Sequence, residues 1–104
     1  MPTTMIRDTE VHVDTEGFLT DYDEWDATLA GDLADVLGIE LSPRHWEVLA
    51  FLREDFLAER DTATLRRVAA GTGIPIKQLF ELFPGKPAKK MAYIAGLPKP
   101  RGCV

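Results

Sequence analysis

Cys103 is the only cysteine in 104 residues, and it stands next to the last residue of the sequence. A lone thiol has no partner for a disulfide within the same molecule and no companions for a cysteine zinc site. What it can do follows from nucleophilic attack by the thiolate. It can take a sulfane sulfur from a donor, hold it as a persulfide and yield it to an acceptor, or it can form a transient mixed disulfide. A free cysteine titrates at about 8.5, so only a small fraction is thiolate at neutral pH. Lys99 and Arg101 raise that fraction and the Val104 carboxylate lowers it, all three screened on an exposed segment. Strong activation is therefore left to the pocket of a partner.

The residues before the thiol read as an arm. Gly96 suits the end of a helix running through Lys86 to Ala95, because glycine enters the left-handed region without steric penalty. In Leu97-Pro98-Lys99-Pro100-Arg101-Gly102 two prolines remove backbone donors and force extended geometry, so no helix continues. From Gly96 to Cys103 such a chain reaches about 23–25 Å. The expectation is a folded body over residues 1–95 and a mobile arm over 96–104. Lys89 and Lys90, with Lys86, form a basic face just before the arm, either plainly solvated or steering an acidic partner.

Other chemistries find less support. His12 alternates with Val11 and Val13 and reads as an exposed side chain. Asp21, Asp23, Glu24 and Asp26 cluster where a helix begins, and acids there are stabilised by the helix dipole without any acid–base role. His45, beside Trp46, reads as a surface or packing histidine. There is no serine–histidine–acid set, phosphate-binding glycine loop or paired-histidine helix, and no cofactor or metal is expected.

The elements that position the arm follow from capping and periodicity. The 45% hydrophobic and 28% charged fractions fit one globular domain. No apolar run is long enough to span a bilayer and no export signal is evident, so the expectation is a cytoplasmic protein away from membranes. The net charge of -5 disfavours direct binding of nucleic acid. Met1–Thr4 reads as an untethered end. Ile6, Val11 and Val13 suggest a strand, Thr15–Gly17 a turn and Phe18-Leu19 a return strand. Asp21 or Asp23 is expected to cap a helix with Trp25, Leu29, Leu33, Val36 and Leu37 on one face, ended by Gly38. Ser42-Pro43 opens the central helix, with Trp46, Leu49, Leu52, Arg53 and Phe56 on its apolar side. Ala69, Gly73, Leu79 and Leu82 have the spacing of a helix-turn-helix. Its second helix offers only Lys77 and Gln78 to DNA, opposed by Glu81, so the pattern is credible as architecture and weak as a DNA signal. The fold expected is mainly α: a small helical bundle with an N-terminal β-hairpin, a helix-turn-helix-like pair and a flexible C-terminal arm.

The run LFELFPGKPAKKMAYIAGLPKPRGCV, with EGFL at Glu16–Leu19 and LSPRHWEVLAFLRE at Leu41–Glu54, resembles the DsrC/TusE family of small sulfur-carrier proteins, also called gamma subunits of dissimilatory sulfite reductase. The resemblance implies that Cys103 carries the sulfur, and that Arg66 lies near the arm, where it holds a retracted tail or stabilises the thiolate. The plainer reading of Arg66 is a surface salt bridge. DsrC proper has a second arm cysteine where this chain has Ala92, so the pattern is similar to the single-cysteine TusE type. The resemblance further implies a monomer, a sulfur donor of the TusBCD/DsrEFH kind, and an acceptor enzyme that is a tRNA thiolase or sulfite reductase-like. The protein would be a carrier more than an enzyme. Rival readings are a helix-turn-helix transcriptional regulator and a docking subunit of a sulfite reductase-like complex that transfers nothing.

Overall fold

The computed structural model describes residues 3–6 and 8–100. The elements run β1 (Thr3–Ile6), β2 (Thr9–His12), a 3-10 turn (Tyr22–Glu24), α1 (Ala27–Val36), α2 (Pro43–Glu59), α3 (Leu65–Thr72), α4 (Ile76–Leu82) and α5 (Pro87–Ile94). A helical bundle carrying one antiparallel hairpin is thus the architecture, as the sequence implies. No helix among the described residues is long and apolar enough to cross a membrane.

The hairpin lies earlier than the alternation suggests. β1 pairs with β2, Thr3 opposite His12 and Ile6 opposite Thr9, so Thr3 and Thr4 are strand residues and not part of a loose end. The expected turn at Thr15–Gly17 forms, because Asp14 Oδ1 accepts from the amides of Glu16 and Phe18 at 2.9 and 3.0 Å. Its return segment makes only a single bridge, Val13 to Leu19. Both segments still bury their apolar side chains together: Ile6, Val11, Val13 and Leu19 close on Leu29 and Leu33 of α1. His12 is exposed as expected, yet it is partnered, its Nδ1 lying 2.7 Å from Glu24 Oε2.

α1 begins later than the acidic cluster indicates. Asp26 is its cap, accepting from Leu29 N at 2.8 Å, whereas Asp21 caps only the 3-10 turn. Trp25 consequently precedes the helix instead of lying on its apolar face. α2 starts as Ser42-Pro43 dictates, and the Ser42 amide donates to His45 Nδ1 at 3.0 Å. That bond makes Nδ1 an acceptor and leaves Nε2 to donate to Leu82 O at 2.7 Å. His45 is therefore a packing histidine: buried, edge-on to Phe83 at 4.9 Å, and joining the start of α2 to the end of α4.

The main core lies between α2 and α5. Val48, Leu49 and Leu52 of α2 meet Met91 and Ile94 of α5, with Val68, Ile74, Leu79 and Phe83 filling in from α3, α4 and their flanks. α3 crosses close to α2 at Gly71, where a Cβ would come within 2.1 Å of the Phe51 ring. Gly73, at φ 76°, then ends α3 and turns the chain into α4. The expected helix pair is present. Its second helix, however, exposes Ile76 and Phe80, apolar side chains that offer nothing to a phosphate.

Candidate functional site

The site is built from the C-terminal end of α5 outward. Gly96, at φ 71°, donates its amide to Tyr93 O at 3.2 Å, and the Leu97 amide donates to Ala92 O at 3.0 Å. These two bonds are a Schellman cap, which satisfies orphan carbonyls and turns the chain sharply out of the helix. Ala92 and Leu97 are both fully buried. The arm's first residues are therefore core residues, packed where the sequence suggests free chain to begin.

Two side chains from earlier in the sequence, Trp25 and Arg53, grip this cap, and Tyr22 supports Arg53. The Trp25 indole N–H donates to Ile94 O at 2.8 Å. Arg53 Nη1 donates to Ala95 O and Nη2 to Tyr22 O, each at 2.8 Å, while the Tyr22 hydroxyl donates to Arg53 O at 3.2 Å. The guanidinium carbon lies 3.8 Å from the centroid of the Tyr22 ring and 4.1 Å from that of Trp25, held between aromatic and carbonyl partners. Burial pushes the pKa of Arg53 down from its ordinary value, against the opposing pull of Tyr22 and Asp23. Gly96 is seated on the Trp25 ring, where a Cβ would approach Cδ1 to 2.4 Å. The residue thus has two independent reasons to be glycine: its positive φ and the indole beneath it.

Beyond the clamp the chain remains attached to the body. The buried Thr62 hydroxyl donates to Pro98 O at 2.7 Å, Lys99 Nζ pairs with Glu16 at 3.3 Å, and Pro100 is buried. Pro98 is exposed. Arg101, Gly102 and Cys103 lie outside the described residues. Covalent geometry alone limits Cys103 to about 10–11 Å from Pro100 while these attachments hold, and to about 20–22 Å from the buried Leu97 when they do not.

The remaining expected site residues are scattered. Arg66 is exposed on α3 and makes neither hydrogen bond nor ion pair to residues 96–100. Its neighbour Arg67 takes the ion-pair role, with Nη2 2.9 Å from Asp55 Oδ1 and 3.4 Å from Glu59 Oε2. Hydrogen bonding to Asp55 raises the Arg67 pKa. Lys89 is half-buried, and Lys90 Nζ donates to Pro84 O, so one lysine of the basic face braces the loop before α5. Among the described residues no group of three or more histidine, cysteine or acidic side chains is placed to hold a metal.

Trp25 and Arg53, expected only on apolar helix faces, here bind carbonyls at the end of α5, and Tyr22 and Thr62 join them without a sequence signal. For Arg53 a signal was available: a cation on the apolar stripe of the central helix, at helical spacing from Leu49 and Phe56, needs a buried partner. Nothing local pointed to that partner being a backbone carbonyl 42 residues away.

Known proteins resemble this chain in sequence and in fold. The family described as "DsrC like protein" matches residues 5–104. Sulfurtransferase TusE of Escherichia coli (strain K12) is 37% identical over 102 residues, covering 91% of this chain and 94% of the relative. The oxidized gamma-subunit of the dissimilatory sulfite reductase (DsrC) from Archaeoglobus fulgidus superposes with a TM-score of 0.82 at 32% identity, over 99% of this chain and all of that one. Allochromatium vinosum DsrC gives a TM-score of 0.83 at 33% identity, over 98% and 97% of the two chains.

Proposed function

The chain belongs to the DsrC-like family, and we propose on that footing that it is a sulfur carrier whose Cys103 takes and delivers persulfide sulfur. The observation that supports this most is the junction of body and arm. The α5 cap is locked by Arg53, Trp25 and Gly96, so the thiol is tethered to a fixed point, while the attachments beyond it are single contacts that a partner can displace. A fixed root with a releasable tether limits the volume the thiol searches and so raises its effective concentration at a docked partner.

The chemistry is exchange without net oxidation. The Cys103 thiolate attacks the outer sulfur of a donor persulfide, forming a new S–S bond as the donor's own S–S bond breaks and the donor thiolate leaves. In delivery an acceptor nucleophile attacks that outer sulfur and Cys103 leaves as thiolate. One thiol suffices for both steps. With Ala92 in place of a second arm thiol and enclosed in the core, no intramolecular disulfide competes. The single-thiol pattern favours the TusE-like relay, toward tRNA thiolation, over a cycle that needs two arm cysteines. The protein works as a monomer in the cytoplasm, where the thiol stays reduced. Its donor and acceptor are other sulfur-transfer proteins.

The test is direct. Incubated with a protein or small-molecule persulfide donor, the full chain should gain about 32 Da, the mass of one sulfur, reversibly with reductant. C103S should gain nothing. An adduct of equal yield on C103S would remove the proposal.

A further inference from the structure

The charges of this chain are segregated along its length. Residues 1–61 hold sixteen acidic and four basic side chains and residues 62–104 one and eight, formal charges of -12 and +7. Part of the positive half is gathered where α4 meets α5. Lys77 lies on α4, Lys86 caps α5, and Lys89 and Lys90 follow in its first turn. Lys90 bonds Pro84 O and braces the loop, whereas Lys77, Lys86 and Lys89 form no ion pair with any described residue. Helix stability gives Lys86 and Lys89 no reason to be basic. They stand at the positive end of the α5 dipole, which repels cations, and the first turn holds no acid to offset them.

Beside these lysines α4 turns two large apolar side chains outward. Ile76 and Phe80 are 39% and 47% exposed and, four residues apart, lie one above the other on the helix, with Lys77 three residues from Phe80 on the same side. Either side chain alone would be an ordinary exposed residue. An apolar centre with a cationic rim is instead the anatomy of a protein–protein contact. It does not suit a nucleic acid, since Ile76 neither donates to a phosphate nor stacks on a base. We propose that the outer face of α4, with the first turn of α5, is a docking surface for another protein, one that presents carboxylates around an apolar recess for Ile76 and Phe80. Charge complementarity selects that partner twice. The lysines attract it, and the negative charge of residues 1–61 repels it from the surface they form, so its approach is oriented as well as favoured. That the partner is a sulfur-transfer protein rests on the carrier reading; the docking does not. For such a partner the thiol is within reach, because α5 is about 12 Å long and Cys103 can extend about 20–22 Å from Leu97 just past its far end.

The full chain is titrated with an amphipathic helical peptide, leucines on one face and glutamates on the other, and followed by amide NMR. Polyglutamate and a single-stranded oligouridylate of equal charge are the comparison probes. Saturable shifts are expected at Ile76, Lys77, Phe80 and Lys89, at least about tenfold weaker with polyglutamate and weakening as salt rises. F80S and the double variant K77E/K86E should each lose at least about tenfold in affinity, and E81K, which removes the one acid after residue 61, should gain. The substituted side chains are exposed and K86E places an acid at a helix N-terminus, so the fold is kept. C103S should bind as the parent does, and K77E/K86E should still take sulfur from a small donor if the parent does, so that failure of loading and failure of docking are read separately. Absence of saturable binding, or affinity unchanged in F80S, overturns the proposal. So do tighter binding of oligouridylate at the same residues, which assigns the face to RNA, and self-association of the parent that F80S abolishes, which assigns it to a second copy.

Discussion

Replacing Arg53 with methionine probes the joint on which the arm depends. Methionine keeps much of the apolar stem that lies along Tyr22 and Trp25 but removes the guanidinium. Two charge-assisted bonds to Ala95 O and Tyr22 O are lost, each worth about 1.5–3 kcal/mol. A cation–π contribution of about 0.5–2 kcal/mol goes with them. Against this stands the relief of no longer desolvating a charge, the same burial that lowers the Arg53 pKa. The balance is a loss of about 2–4 kcal/mol, a large share of the roughly 5–15 kcal/mol that holds a domain folded. Equilibrium urea unfolding measures the loss, and hydrogen exchange localises it, with protection falling first at the Gly96 and Leu97 amides. Loading of Cys103 by a small persulfide donor should persist, since the thiol lies beyond the clamp, while transfer to a protein acceptor slows. A variant within about 0.5 kcal/mol of the parent, with protection at Leu97 unchanged, would refute the clamp.

Three further perturbations test neighbouring parts. G96A combines a positive φ with a Cβ 2.4 Å from the Trp25 ring, and should cost about 2–4 kcal/mol in urea unfolding, with a change in Trp25 fluorescence. T62V removes the hydroxyl that holds Pro98 O from a buried position, and should cost about 1 kcal/mol while raising exchange at the neighbouring Leu97 amide. Glu24 has its pKa lowered first by the backbone N–H of His12 and then by the His12 ring. Its contribution to stability is therefore present above the ordinary carboxylate range and is lost as pH falls through the lowered folded value. E24Q should flatten that part of the acid limb in unfolding midpoints measured against pH, and an unchanged limb would show that the His12–Glu24 contact is not coupled to folding.

Much of the bundle was legible because helix ends are local chemistry. Ser42-Pro43 starts α2, Gly38 follows α1, Gly73 ends α3 and Gly96 ends α5, each for reasons contained within a few residues. The hairpin was displaced because alternation marks which residues face a core without saying which neighbouring segment pairs with them. Val13 and Leu19 satisfy the pattern with a single bridge, while the ladder itself forms one turn earlier. Trp25 was misplaced for a related reason: helical spacing to Leu29 is real, but the Asp26 cap starts the helix after it.

By itself the sequence determined the reactive group, its solitary character and the chain's inability to remain helical beyond Gly96, since these depend on residue types and on backbone restrictions within a few bonds. Only the tertiary structure decided where the arm is rooted. Leu97 is buried, Trp25 reaches Ile94 O across 69 residues, and Arg53 reaches Ala95 O across 42. No local propensity encodes those distances. They exist because a buried guanidinium and an indole N–H each require an acceptor, and packing α2 against α5 brings the carbonyls at the end of α5 within reach.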